Sequence, residues 1–172
     1  MVAAASDRRP GRPPARTRAR KAALDILFES EQRGLATGAT LADRQSAATA
    51  GEQPVRGYTA ELVTGVRDQR VRIDDLLTTY TRDWTLDRMA AVDRNILRLA
   101  VWELLAAPDV PAAVAIAEAV GLAGQLSTDS SAAFVNGVLA RINDAVGRPV
   151  ADAPAGPGTG GEPAPQEALD TP

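Results

Sequence analysis

The chain has 172 residues, enough for one ordinary domain with tails, and 45% of it is apolar while only 3% is aromatic. It contains no cysteine and no histidine, which excludes disulfides, thiolate zinc sites and cysteine nucleophiles and removes the commonest general base and metal ligand. The net charge of -3 conceals an asymmetry, because residues 1–21 carry seven basic side chains against Asp7 alone, whereas 22–147 carry 11 basic against 17 acidic ones.

A basic arm on an acidic body reads as an anion-binding end, nucleic acid being the usual anion. The plainer alternative is a solubilising arm with no ligand. No apolar run approaches the ~20 residues of a membrane span, and the N-terminus lacks the apolar stretch of a signal peptide. A soluble, cytoplasmic protein is expected.

Residues 1–15, with "MVAAASDRRPGRPP", are rich in proline and arginine and read as a disordered basic arm. A folded domain is expected over 16–147, and 148–172 read as a disordered, acidic Pro/Gly-rich tail. Helical periodicity runs through the domain. A first helix is predicted over about 15–33, stopped by Gly34, and a weaker one over 41–49. A long helix is predicted over 55–79, with Leu62, Val66, Ile73, Leu76 and Leu77 as its apolar positions. "RDWTLDRM" reads as a turn, with Thr85 as an N-cap and Asp87 in the following first turn. Further helices are expected over 89–106, over "PAAVAIAEAVGLAGQL" and over 130–146. The second of these opens with proline and is apolar nearly all round, so it is expected to be buried. No segment alternates with period two, and the fold class is all-α with six or seven helices.

In the first helix Ala23, Leu24, Leu27 and Phe28 form one stripe, which Arg16 and Arg20 extend toward the N-terminus. A charge in line with an apolar stripe is costly to pack in the same core. The first turns are therefore expected to overhang the bundle and to present arginines beside it. Lys21 lies within about 20° of Phe28 on the helical wheel, and the helix dipole adds positive charge at the same end. In the last helix Val135, Val138, Leu139, Ile142 and Val146 define the stripe, and Phe134 sits roughly 90° from its centre. Such a phenylalanine is either wedged against a neighbouring helix or free to hold an unstacked base; position alone favours packing. Gly137 reads as a site of close helix approach. The helix from Met89 carries Asp93 in its first turn, where the dipole favours it, and a deeper Glu103, expected to pair with a basic group of another helix. Ten residues separate these acids, about 15 Å, too far apart for glycosidase geometry.

Four motifs, "RARKAALDILFESE", "DRMAAVDRNILRLAVWELL", "VPAAVAIAEAV" and "FVNGVLARI", carry a resemblance. The chain is similar to the bacterial transcription antitermination factor family NusB over nearly all of 16–146, and to its actinobacterial members in particular. The resemblance implies two small three-helix subdomains, no catalytic activity and no cofactor. It also implies binding to the boxA element of nascent ribosomal RNA leaders, together with NusE, a small-subunit ribosomal protein, in an antitermination complex with RNA polymerase. Carried over by position, the RNA-binding residues are Arg16, Arg18, Arg20, Lys21, Phe28, Asp93 and Phe134. The likeness reverses the packing preference for Phe134. Two departures stand out: Ala133, where many relatives have a basic residue, and Ala117, where the family often has Asn or Asp. Some relatives form homodimers, so a second copy of the chain is a further candidate partner. A NusB-like domain also precedes certain ribosomal RNA cytosine methyltransferases. Those need a cofactor domain and a cysteine nucleophile, and this chain has no cysteine. Two rivals remain: a helical interaction module whose arm only solubilises, and a duplex-DNA binder, weaker because no helix-turn-helix spacing stands out.

Overall fold

The computed structural model describes residues 13–49, 55, 57–81 and 85–147. The basic arm up to residue 12 and the tail from residue 148, both expected to be disordered, lie outside the described residues. Among the described residues there are seven α-helices and no strand: α1 (Ala15–Gln32), α2 (Thr37–Thr49), α3 (Gly57–Asp68), α4 (Arg70–Tyr80), α5 (Ala91–Ala106), α6 (Ala112–Leu126) and α7 (Ser131–Val146). A short 3-10 turn, Leu86–Arg88, precedes α5.

The stop signals act as their chemistry predicts. Gly34 adopts φ 63°, which lets the Leu35 amide donate back to the Ser30 carbonyl at 2.9 Å and close α1. Gly147 ends α7 at φ 68°, its own amide donating to the Asn143 carbonyl at 3.1 Å. Two expectations need correction. The helix expected over 55–79 is broken at Gln69, whose φ of -106° and ψ of 16° lie outside regular helix. The break lets α3 bury Leu62, Val63 and Val66 against α1, α2 and α5, while α4 turns to set Ile73 and Leu77 against α5 and α7. Neither glycine nor proline marks it. Nor does Thr85 cap a helix through its side chain: the 3-10 turn intervenes, and α5 starts only at Ala91.

α5 is the axis of the fold. Every residue from Ile96 to Leu104 is buried, and each fully buried large apolar side chain stabilises by about 1.5–3 kcal/mol. α1, α2 and α3 pack together as one group, α5, α6 and α7 as another, with α4 on the second and α5 touching both. These groups, sharing α5, are the expected two subdomains, the second carrying α4 as a fourth helix. α6 is not buried all round: Ala112, Ala115, Ala119, Leu122 and Ala123 face α5 and α7, but Val114, Ala117 and Gly121 are exposed.

The glycine that permits close approach is Gly65 of α3, not Gly137. A Cβ on Gly65 would fall 2.0 Å from Nε1 of the buried Trp102. A Cβ on Gly137 would meet only the Arg141 guanidinium, at an ordinary 3.8 Å.

Candidate nucleic-acid interface

The basic residues of α1 divide between two faces, 3.6 residues per turn setting which goes where. Arg18, Lys21, Asp25 and Phe28 follow one another along the outward face. Lys21 and Phe28 are exposed, and Lys21 pairs with Asp25 one turn on at 3.0 Å. Phe28 therefore leaves the apolar stripe to which its spacing assigned it. Arg18 is half-buried, and one of its guanidinium nitrogens donates to the Pro13 carbonyl.

Arg16 and Arg20 lie on the opposite side. Arg20 is not presented beside the bundle as expected. It is 3% exposed, its Nε lies 3.0 Å from both Glu103 oxygens, and its Nη2 lies 2.8 Å from Oε1. Glu118 of α6 adds a second carboxylate at 3.4 Å and accepts from Thr17, and Tyr58 of α3 donates its hydroxyl to Glu103. A buried charge is tolerable when it is paired and hydrogen-bonded in this way. Burial alone would lower the Arg20 pKa, but Glu103 and Glu118 outweigh it and raise it. Burial and the bond to Glu103 push the Tyr58 phenol well above its ordinary value. Arg16 is exposed, pairs with Asp109 and stacks 5.0 Å from the centre of the Tyr58 ring. Glu103 has the basic partner from another helix that its position demanded. Arg20, being that partner, has its guanidinium engaged inside the fold.

A second ionic cluster ties the far end of α1 to the start of α5. Glu31, one turn beyond Phe28, accepts from Arg94, from Asn95 at 3.1 Å and from Arg98 at 3.0 Å, while Arg98 also reaches Asp74 of α4 at 2.8 Å. Burial would raise the pKa of Glu31, but its Arg94 and Asn95 hydrogen bonds and the nearby guanidiniums hold it below the ordinary 4.5. Burial would likewise raise Asp74, and Arg98 with Arg70 holds it below 3.8. Depressed carboxyl pKa values stabilise the fold fully above the unfolded values and lose that effect as pH falls through the folded ones. The unfolding midpoint is thus expected to be flat from about pH 6 to 8 and to fall progressively below about pH 4.5. A thermal-denaturation series checks this. A decline beginning between pH 7 and 6 would count against it, since the chain has no histidine.

The starts of α5 and α7 meet beside this cluster. Asp93, in the first turn of α5, and Phe134, in the first turn of α7, line one pocket of about 250 Å³. Met89 and Ala90 form its wall before α5, and Thr128, Ser130 and Ser131 form its wall at the start of α7. The Ser131 hydroxyl donates to Asp93 Oδ2 at 2.8 Å. Phe134 is half-buried against the core and also faces the pocket, so packing and access are both met. Arg88, exposed and in no ion pair among the described residues, is a cation one residue before the lining residue Met89. Two helix N-termini add partial positive charge there. Sequence reasoning passed over the three hydroxyls; only the fold places them in one pocket with Asp93. Among the described residues no cluster of acidic side chains could hold a metal ion, and no helix is long and apolar enough to cross a membrane.

A family model described as the NusB family matches residues 17–144. The chain belongs to the NusB family. It is 57% identical over 128 residues to the transcription antitermination protein NusB of Nocardioides sp., spanning 74% of this chain and 93% of the relative. Identity to that of Beutenbergia cavernae is 51% over 135 residues, spanning 74% and 88%. Among solved structures, T. maritima NusB superposes with a TM-score of 0.66 at 33% identity, covering 77% of this chain and 93% of that one. A complex of antitermination factors NusB and NusE with double-stranded RNA contains a chain matching at TM-score 0.65 and 26% identity, covering 77% and 99%.

Proposed function

We propose that this NusB-family chain is a non-catalytic transcription antitermination factor. In this reading it binds the boxA element of nascent ribosomal RNA leaders together with NusE and acts in an antitermination complex with RNA polymerase. The observation that carries the reading is the family membership, joined to an outward face of α1 that runs from Arg18 and Lys21 to Phe28 and a pocket at the start of α5, the end that the C-terminal turn of α1 reaches. Lys21 and Arg18 neutralise phosphates, Phe28 offers a stacking surface, and Phe134 with Asp93 holds a base. Phosphate contacts supply affinity, and base contacts supply order. Arg16 contributes less, because Asp109 and Tyr58 already engage it. Arg20 organises the helix that presents the others. The related NusB–NusE complex holds double-stranded RNA; here, a pocket sized for a single ring favours an unpaired strand.

Fluorescence anisotropy with a boxA-like single strand and a scrambled control, with and without NusE, tests the function. Preferential binding that tightens with NusE is the expected result. Equal binding to both RNAs, indifferent to NusE, would leave only a helical module with a solubilising arm. Arg88 gives a narrower test. Replacing Arg88 by Gln is expected to flatten the log–log salt dependence of binding by about 0.7, the value of one phosphate on a single strand, with no change in folding. An unchanged slope removes Arg88 from the contact.

A further inference from the structure

The chain enters and leaves the helical domain at the same pole. A short turn joins α6 to α7 and sets them side by side and antiparallel, so the end of α7 at Gly147 returns to the level where α6 begins. The start of α6 is bound in turn to the start of α1. Arg16 pairs with Asp109, Thr17 donates to Glu118, and Arg20 lies 3.4 Å from Glu118. The two stretches of chain that meet this pole carry opposite charge. Arg16, Arg18 and Lys21 occupy the first turns of α1, whose first turn holds no acid, and Arg8, Arg9 and Arg12 precede them. Residues 148–172 carry Asp152, Glu162, Glu167 and Asp170 against Arg148. We propose that the acidic segment 152–170 seats its carboxylates on the outward cations of the first turns of α1, and that RNA must displace it. The contact stands independently of the RNA-binding reading; the competition rests on that reading.

Reach, charge and tethering favour this occupant. From Gly147 to Glu162 an extended backbone spans up to about 50 Å, whereas the whole of α1 is about 27 Å long. The exposed cations Arg33 and Arg88 lie at the opposite pole, at the end of α1 and before the start of α5, farther from Gly147. Lys21 and Arg16 are about half exposed, and so are the carboxylates of Asp25 and Asp109 that hold them. Exposed pairs of this kind contribute little, so a further carboxylate can share or replace them. A ligand on the same chain meets its surface at an effective concentration on the order of millimolar, which lets a few weak pairs act together. The family match ends at residue 144, so this occupant belongs to the extension of this chain rather than to the shared domain.

Lys21 is the sole lysine of the chain, so a carbodiimide, which joins carboxylates to amines, reports its neighbours directly. In the full chain at about 0.05 M salt, links within one chain from Lys21 to Glu162, Glu167 or Asp170 are expected, beside the Lys21–Asp25 link that their 3.0 Å pair allows. The tail links should vanish at about 1 M salt, where the screening length falls to about 3 Å. A Lys21–Asp25 link with none to the tail at low salt overturns the proposal. The second arm compares the full chain with one carrying Asp152→Asn, Glu162→Gln, Glu167→Gln and Asp170→Asn together, which keeps the length of the segment and removes its negative charge. At low salt this variant is expected to bind a boxA-like single strand about threefold to tenfold more tightly, the worth of a few exposed ion pairs, with the difference closing as salt rises. Equal affinity at low salt overturns the competition and leaves the RNA-binding function standing. A gain in affinity without the tail links means repulsion at a distance and overturns the seated contact. If neither protein binds RNA, the function and the competition both fall, and the cross-link alone decides the contact.

Discussion

Glu103→Ala is expected to destabilise the fold by about 3–5 kcal/mol, the usual cost of removing one partner from a buried ion pair. The substitution leaves the Arg20 guanidinium, 3% exposed, with Glu118 at 3.4 Å as its remaining carboxylate, and leaves the Tyr58 hydroxyl without its acceptor. The cost comes from stranding a charge rather than from the net worth of the pair. The double replacement Arg20→Met with Glu103→Leu is therefore expected to recover most of the stability, and its folded form should bind RNA as the unmodified chain does. Urea titrations of the three proteins measure this directly. If Glu103→Ala costs less than about 1 kcal/mol, Arg20 is not the buried structural cation described here. RNA binding lost in the stable double variant would return Arg20 to the phosphate-binding set.

Gly65→Ala is expected to cost about 3 kcal/mol, near the upper end for overpacking a core, and to lower the unfolding midpoint by roughly 10 °C. The new methyl would sit 2.0 Å from Trp102 Nε1 and 2.1 Å from Cε2, and the indole is buried where α3 crosses α5. Either the ring leaves its rotamer or the two helices separate, and separation would disturb both subdomains, since α5 belongs to the packing of each. Gly137→Ala is the matched control. Its methyl meets nothing closer than 3.8 Å, so the gain in helix propensity should stabilise by up to about 1 kcal/mol. Calorimetry on the two variants separates them, and similar midpoints would mean that the Gly65–Trp102 contact is not tight.

The fold was legible because its helices are long and periodic, with Gly34 and Gly147 stopping α1 and α7 and Pro111 opening α6. The break at Gln69 was not, because it answers to where α5 and α7 lie rather than to any local breaker. α2 starts at Thr37, four residues before its first large apolar position, Leu41, for a similar reason: threonine and glycine form its first turn without a periodic signal. Arg20 shows a subtler limit. Its place on the apolar stripe of α1 was plain, and so was that of Glu103 on α5. Two opposite charges on two apolar stripes are the sign of a pair buried between helices, yet each stripe taken alone suggests an overhang. The separation of 83 residues hides the partner. The pocket was half legible. Asp93 and Phe134 stand out by type and position, whereas Ser130, Ser131 and Thr128 look like any helix start until α7 is set beside α5.

The central claim is that RNA is held at the meeting of α5 and α7 and along the outward face of α1, and not by a basic arm alone. Affinity of Phe134→Ala for a boxA-like single strand, measured across a salt series beside the unmodified chain, tests it most directly. One lost base contact of about 1–3 kcal/mol predicts roughly tenfold weaker binding at every salt concentration, with an unchanged log–log slope and a chain that remains folded. Affinity equal to that of the unmodified chain would contradict the claim and leave the arm as the whole of the interaction.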